Sequence, residues 1–190
     1  MNTANSGKVK KTAILFGSPN NQGNTAKLLD EFLRHCPENG QAALLCAYDL
    51  KILPCIGCDR CRTADCCVHR GKDDFEKVEQ MMEASDLFII ASPVYFLNLP
   101  APLKQIFDRF QSYFYQRPFA NRPVRKAVLL TTSGSGDSAG PRQTALTVKY
   151  ALDAVNVSLV ETVAVKNTDR RLEIDPELCK KAAQKLFCSN

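Results

Sequence analysis

The stretch from Thr12 to Thr25 constrains the fold most. It reads Thr-Ala-Ile-Leu-Phe-Gly-Ser-Pro-Asn-Asn-Gln-Gly-Asn-Thr. An apolar run ends at Gly17, a small polar loop follows, and a helix is expected from about Asn24. That order is a strand, a phosphate-sized loop and a helix N-terminus. The unpaired N–H groups and the positive dipole end of such a terminus favour an anion. Ser18, Asn20, Asn24 and Thr25 add hydrogen-bonding side chains. The loop has no Lys or Arg, and Gly23-Asn24-Thr25 stands where a nucleotide-hydrolysing loop needs Gly-Lys-Ser/Thr. Neutral donors suit a phosphate that is an anchor rather than a reacting group. The expectation is a phosphate-bearing cofactor, held and not cleaved. An ordinary βα turn capped by Asn and Thr would carry the same sequence, so the loop alone leaves both readings open.

The rest of the chain repeats the alternation. Strands are expected at Thr12–Phe16, Ala42–Tyr48, Leu87–Ala91, Ala127–Thr132 and Val157–Val165, the last an edge. Helices are expected from Asn24 to Cys36, closed by Pro37 and Gly40, and from Asp73, whose spacing to Glu76 is that of a capping box. Others start near Pro100 to Pro102, near Pro141 and after Asp175-Pro176. Short, continuously apolar strands suit burial on both faces. Five strands alternating with five helices predict one α/β domain over residues 1–190, a three-layer sandwich with right-handed crossovers. The special loops follow strands one, three and four. They become neighbours if the parallel sheet runs 2-1-3-4-5, the flavodoxin-like order.

Composition narrows the classes. With 190 residues, 45% hydrophobic and 24% charged, the chain is expected to be globular with its own core. No apolar run approaches the roughly 18 residues of a spanning helix, so no membrane role is expected. Residues 1–11 are polar, carry three lysines and read as a flexible tail rather than a signal or anchor. The net charge of +5 is spread along the chain, which argues against nucleic acid. Nine cysteines are many, and five (Cys55, Cys58, Cys61, Cys66, Cys67) lie close together in a loop spanning 49–72. An odd count without a signal peptide points to reduced thiols or metal ligands in the cytoplasm.

Two loops add a place for a flat ring. Pro93, Val94, Tyr95 and Phe96 put an aromatic and apolar surface beside the phosphate loop, although covering the sheet end would use the same residues. Gly134 and Gly136 allow close backbone approach, as a plain flexible turn also would. Elsewhere, His35 suits the end of the first helix, Asp73 and Asp74 read as helix caps, and Lys104, Asp108 and Arg109 as a helix-surface ion pair. The aromatic and basic segment Tyr113 to Arg125 reads as a subunit contact or a surface flap.

Together, Gly17-Ser-Pro-x-x-x-Gly23-Asn24-Thr25, Ser92-Pro93-Val94-Tyr95-Phe96 and Leu103-Lys104 with Asp108-Arg109 resemble the flavodoxin-like NAD(P)H-dependent FMN reductases. Cys55-Ile-Gly-Cys58-Asp-Arg-Cys61, then Cys67 and Asp73-Asp74, resembles their iron–sulfur flavoprotein branch. The resemblance implies that Ser18, Asn20, Gly23, Asn24 and Thr25 bind the FMN phosphate. It implies that Pro93, Val94, Tyr95, Phe96 and Asn98 lie along the isoalloxazine, with Ser133, Gly134 and Gly136 closing its other edge. NAD(P)H would be the hydride donor, so no acid–base triad is required. The acceptor would be a quinone, free flavin, another small molecule or a ferredoxin-like protein, in a homodimer or homotetramer. Arg117, Arg122 and Arg142 are equal candidates for a nicotinamide 2′-phosphate.

For the cysteine loop, Cys55, Cys58, Cys61 and Cys67 match in number and spacing a [4Fe–4S] cluster. Cys66 is an alternative fourth ligand and His69 a weaker one. Zinc with four thiolates fits the same count. Unliganded thiols or a redox disulfide also fit, and a non-enzymatic metal or thiol-redox sensor is the reading from another functional class.

Overall fold

A computed structural model describes residues 10–37, 41–64 and 66–188. The strands are β1 (Lys11–Phe16), β2 (Gln41–Cys46), β3 (Leu87–Pro93), β4 (Arg125–Thr132) and β5 (Val157–Val165). All pairings are parallel, in the order β2-β1-β3-β4-β5. This is the expected flavodoxin-like order. It sets the carboxyl ends of β1, β3 and β4 side by side on one rim, where open α/β sheets place their ligands.

Alternate side chains of each central strand enter opposite cores, as strand geometry requires. Ala13, Leu15, Phe88, Ile90, Ala127 and Leu129 join the core under α3 (Phe75–Ala84), α4 (Ala101–Arg109) and α6 (Ala139–Asp153). Ile14, Phe16, Ile89, Ala91, Val128 and Leu130 join the core under α1 (Asn24–Leu33) and α7 (Pro176–Phe187). Three layers follow. The runs are continuously apolar because both faces are covered. β2 and β5 are the two edges, β2 largely exposed and β5 half-buried.

The helices depart from expectation in several places. α1 ends at Leu33, with Arg34 as its C-cap, so Cys36 lies beyond it; Gly40 falls outside the described residues. The third expected helix is two, α4 and α5 (Gln111–Gln116), meeting at Phe110. A one-turn α2 (Arg60–Thr63) interrupts the cysteine loop. Residues 1–9 of the expected tail lie outside the described residues, while Lys11 already belongs to β1. The segment from Tyr113 to Arg125 is partly core, since Tyr113 and Phe119 are buried and Phe114 and Tyr115 exposed.

Burial corrects the expected surface pair, while Asp73 and Asp74 stand at the start of α3 as expected. Lys104 pairs with Asp108 at the surface, 2.5 Å apart. Arg109 does not join them. It turns inward to pair with Asp73, the two side chains 1% and 3% exposed. Asp73 does accept a bond from the Phe75 N–H at 3.1 Å. Its main partner is nonetheless the guanidinium, and the N-cap position is Asp74, whose side chain makes no capping bond. The α7 cap is as expected, with Asp175 accepting from the Glu177 N–H at 2.9 Å.

Candidate functional site: a cleft at the carboxyl rim and a thiol-lined pocket

The loop after β1 is built for an anion. Gly17 follows the strand without a side chain because a Cβ there would meet Leu103 Cδ2 at 2.5 Å. Ser18 is buried, and its Oγ accepts from the Asn20 N–H at 3.2 Å. Asn20 Oδ1 accepts from the Gln22 N–H at 2.9 Å. These side-chain bonds fix the loop locally. The α1 ladder opens with the Lys27 N–H on the Gly23 carbonyl at 3.1 Å, so the N–H groups of Asn24, Thr25 and Ala26 precede it. Those are the donors that a helix start leaves over. Thr25 is buried, its hydroxyl 2.8 Å from that of Thr132 at the end of β4.

The loop after β3 forms one wall. The Val94 N–H donates to the Thr132 carbonyl at 2.8 Å. Tyr95 and Asn98 exchange backbone bonds of 2.8 and 3.0 Å around Phe96 and Leu97. Both central residues have positive φ, 47° and 66°. This is the backbone of a tight turn that normally takes Asn-Gly. An apolar pair there is strained, and such strain gathers at binding sites. The turn leaves Phe96 fully exposed at 103%.

The cleft between these loops encloses about 740 Å³, within the range of cofactor sites. Ser18, Asn20, Gly23, Asn24 and Thr25 line it from β1–α1, Pro93 to Phe96 from β3, and Ser133 and Gly134 from β4. Two expected contacts stand outside the lining. Asn98 turns its Oδ1 to the Leu99 N–H at 2.8 Å, and Gly136 packs where a Cβ would lie 2.6 Å from Asn167 Oδ1. Arg117, Arg122 and Arg142 do not line the cleft either.

Sequence reasoning missed Thr132, Ser135, Thr168 and Asp169, which do line it. The loop after β5 brings in the last two. The Thr168 N–H donates to the Ser133 carbonyl at 3.1 Å, and Asn24 Nδ2 donates to the Thr168 carbonyl at 3.3 Å. The signal was present, because a polar Asn-Thr-Asp run follows β5 at the same carboxyl rim. The lining carries no Lys or Arg and one carboxylate, Asp169. The residues fit FMN: backbone and hydroxyl donors for a phosphate, apolar and aromatic walls for a flat ring.

A second pocket lies in the cysteine loop. Cys55, Cys58, Cys61 and Cys67 line it with Ile56, Val68, His69 and Arg109. It encloses about 30 Å³. Burial raises the Cys61 thiol above its ordinary value against a backbone hydrogen bond that lowers it, and Cys67, Cys55 and Cys58 push it the same way as burial. Among the described residues, no three His, Cys, Asp or Glu side chains stand ready to grip a metal ion, and all the cysteines are free thiols. In chemistry and spacing, four thiols around one pocket still fit a thiolate-held cluster. Cys66 stands apart, in a neighbouring pocket with Asp73 and Arg70. Among the described residues, no helix is long and apolar enough to cross a membrane.

Comparison with known proteins agrees with this geometry. Residues 10–169 match the family model described as NADPH-dependent FMN reductase. An iron–sulfur flavoprotein of Archaeoglobus fulgidus is 35% identical over 117 residues, covering 61% of this chain and 50% of the relative. A second from the same organism is 30% identical over 163 residues, covering 83% and 77%. The chain thus spans about half the length of the first relative it matches. Among solved structures, an NAD(P)H:quinone oxidoreductase from Methanothermobacter marburgensis shares the fold. Its TM-score is 0.73 at 16% identity, over 96% of this chain and 98% of that one. Sheet order, rim cleft and the family match over most of the chain lead to one conclusion: the chain belongs to the NADPH-dependent FMN reductase family, on its iron–sulfur flavoprotein-like branch.

Proposed function

We propose that the chain is a flavin oxidoreductase that moves two electrons from NADH or NADPH, by way of FMN, to a quinone, a free flavin or another small acceptor. The observation that carries this reading is the cleft where β1, β3 and β4 end, lined by neutral donors on one side and apolar residues on the other. Bound FMN supplies the redox chemistry, taking hydride from reduced nicotinamide and passing the electrons on. The protein's part is to bind and orient. Asn24, Thr25 and the α1 N-terminus hold the phosphate. Pro93, Val94 and Tyr95 carry the ring on one side, and Ser133 and Gly134 bound its polar edge. With no Lys in the loop after β1, the phosphate is held without activating it for transfer.

The test is direct. The chain is loaded with FMN, freed of excess flavin and mixed without oxygen with NADH or NADPH. The flavin absorbance should bleach, and a quinone should restore it. A chain that takes up no FMN, or bound FMN left oxidised by both nucleotides, overturns the reading.

The four-thiol pocket favours a second reading, an electron carrier that uses FMN and a [4Fe–4S] cluster with a ferredoxin-like partner. Anaerobic purification with iron, sulfide and zinc assays separates the two. Little iron and fast quinone-dependent oxidation of NAD(P)H favour the reductase. About four iron atoms per chain with poor nucleotide turnover favour the carrier.

A further inference from the structure

Arg109 is the last residue of α4 and is 2% exposed. One nitrogen, Nη1, donates both to the Leu53 carbonyl at 3.0 Å and to the Asp73 carboxylate. Asp73 in turn accepts from the Leu53 N–H at 2.9 Å and the Phe75 N–H at 3.1 Å. Leu53 precedes Cys55 and Asp73 follows Cys67. The ion pair therefore ties the two ends of the cysteine loop together at the end of α4. The guanidinium also lies over the Phe75 ring, 4.5 Å from its centroid.

This anchoring leaves a donor over. Arg109 Nε is buried and has no partner among the described residues; His69 Nε2, a donor or an acceptor according to the ring's tautomer, is buried without a partner there too. Both residues line the pocket that Cys55, Cys58, Cys61 and Cys67 line. Buried donors are almost always satisfied, and an orphan needs an explanation. Thiolates and inorganic sulfides are acceptors and carry negative charge. Hydrogen bonds to sulfur and net local charge are the main protein levers on an iron–sulfur potential.

We propose that Arg109, held in place by Asp73, is the hydrogen-bond donor to the sulfur-bound centre of the cysteine pocket and raises its reduction potential. The inference rests on the reading of this loop as a cluster site. Arg109 ligates nothing. It is a positioning and tuning residue, and its positive charge and N–H favour the more negative, reduced centre. Asp73 opposes that effect as well as holding the guanidinium.

The test uses the full chain, reconstituted with iron and sulfide without oxygen, carrying FMN as a reporter of folding. The cluster midpoint potential is read by spectroelectrochemical titration in wild type, Arg109→Gln and Asp73→Asn. Arg109→Gln should lower the potential by about tenfold in the reduction equilibrium, ~59 mV for one electron. Asp73→Asn removes the opposing charge and should raise it. A purely structural role would move both variants in the same direction, so opposite signs identify tuning. Should Arg109→Gln lose its FMN and its cooperative melting, Arg109→Lys keeps the charge and removes the Nε–H. It should shift the potential downward by less. Shifts of one sign in Arg109 and Asp73 variants, or no shift in any folded Arg109 variant that carries the cluster, overturn the proposal alone. Wild-type chain that takes up no iron, or zinc in its place, overturns the cluster reading and the proposal with it.

Discussion

At the scale of single residues, strain and burial separate what binds from what folds. Phe96 is fully exposed and holds a φ of 47°. It gains nothing from burial and strains the backbone by about 1–3 kcal/mol; its side chain lines the cleft and stands outside the core. Phe96→Gly relieves the strain. Stability in urea should stay level or rise by about 1 kcal/mol, while NAD(P)H-dependent reduction of bound flavin slows. A clear loss of stability would mean that the ring packs somewhere in the fold. Thr25 is buried and still lines the cleft. It is 2% exposed and 2.8 Å from the Thr132 hydroxyl. Thr25→Val keeps its shape and removes the hydroxyl. A hydrogen bond to a charged phosphate contributes ~1.5–3 kcal/mol. FMN should therefore bind about tenfold or more weakly while riboflavin is unaffected, as measured by fluorescence titration. The motif around Thr25 could be read directly because its residues are adjacent in sequence. Asp169 needs one step more, since its polar run comes to the rim through the pairing of β5 with β4. Whether the side chain after a turn, such as Asn98, points into a cleft depends on positive φ values that composition does not reveal.

At the scale of elements, the apolar runs predicted strands well because both faces of each central strand are buried. Helix ends were less legible. The third helix reads as one periodic stripe through Leu103, Ile106, Phe107, Phe110 and Phe114, yet the backbone breaks at Phe110 and resumes as α5, which leaves Phe114 exposed. Periodicity reports which face is buried and is insensitive to a one-residue offset. Arg109 reads as a surface residue because it lies near Lys104 and Asp108 in sequence, but α4 turns it toward Asp73 instead. The α7 layer gives a pH prediction. Cys179 is fully buried, and its thiol is pushed up to about 11 by burial and by the neighbouring carboxylates Glu31 and Asp175. The folded thiol holds its proton more tightly than the unfolded one, whose ordinary value is 9.0. Its contribution is fully present below pH 9 and is lost as pH rises toward 11. The slope is up to about 1.4 kcal/mol per pH unit. Under reducing conditions, Cys179→Ala should be somewhat less stable at pH 8 through lost packing. It should also lose less stability than wild type between pH 9 and 11. Parallel pH curves for the two proteins would show that Cys179 is not a source of the slope.

At the scale of the whole molecule, the sheet order joins distant segments into one cleft. Its lining runs from Ser18 to Asp169, through the loops that follow β1, β3, β4 and β5. No segment forms that site alone, so a ligand there binds the folded chain and not the unfolded one. Such a ligand stabilises by about 2.7 kcal/mol at a hundredfold excess over its Kd. For a chain of this size, each kcal/mol raises Tm by roughly 2–4 °C. Saturating FMN should therefore raise Tm by roughly 5–10 °C. Riboflavin has the ring and ribityl chain but no phosphate. If the α1 N-terminus is the anchor, riboflavin at the same concentration should shift Tm far less, and inorganic phosphate should compete with FMN. The cysteine pocket shares no lining residue with this cleft. Cys58→Ser should therefore abolish iron uptake and leave the FMN shift intact. Equal shifts from FMN and riboflavin would remove the phosphate anchor from the account. Loss of the FMN shift in Cys58→Ser would show that the two sites form one coupled unit.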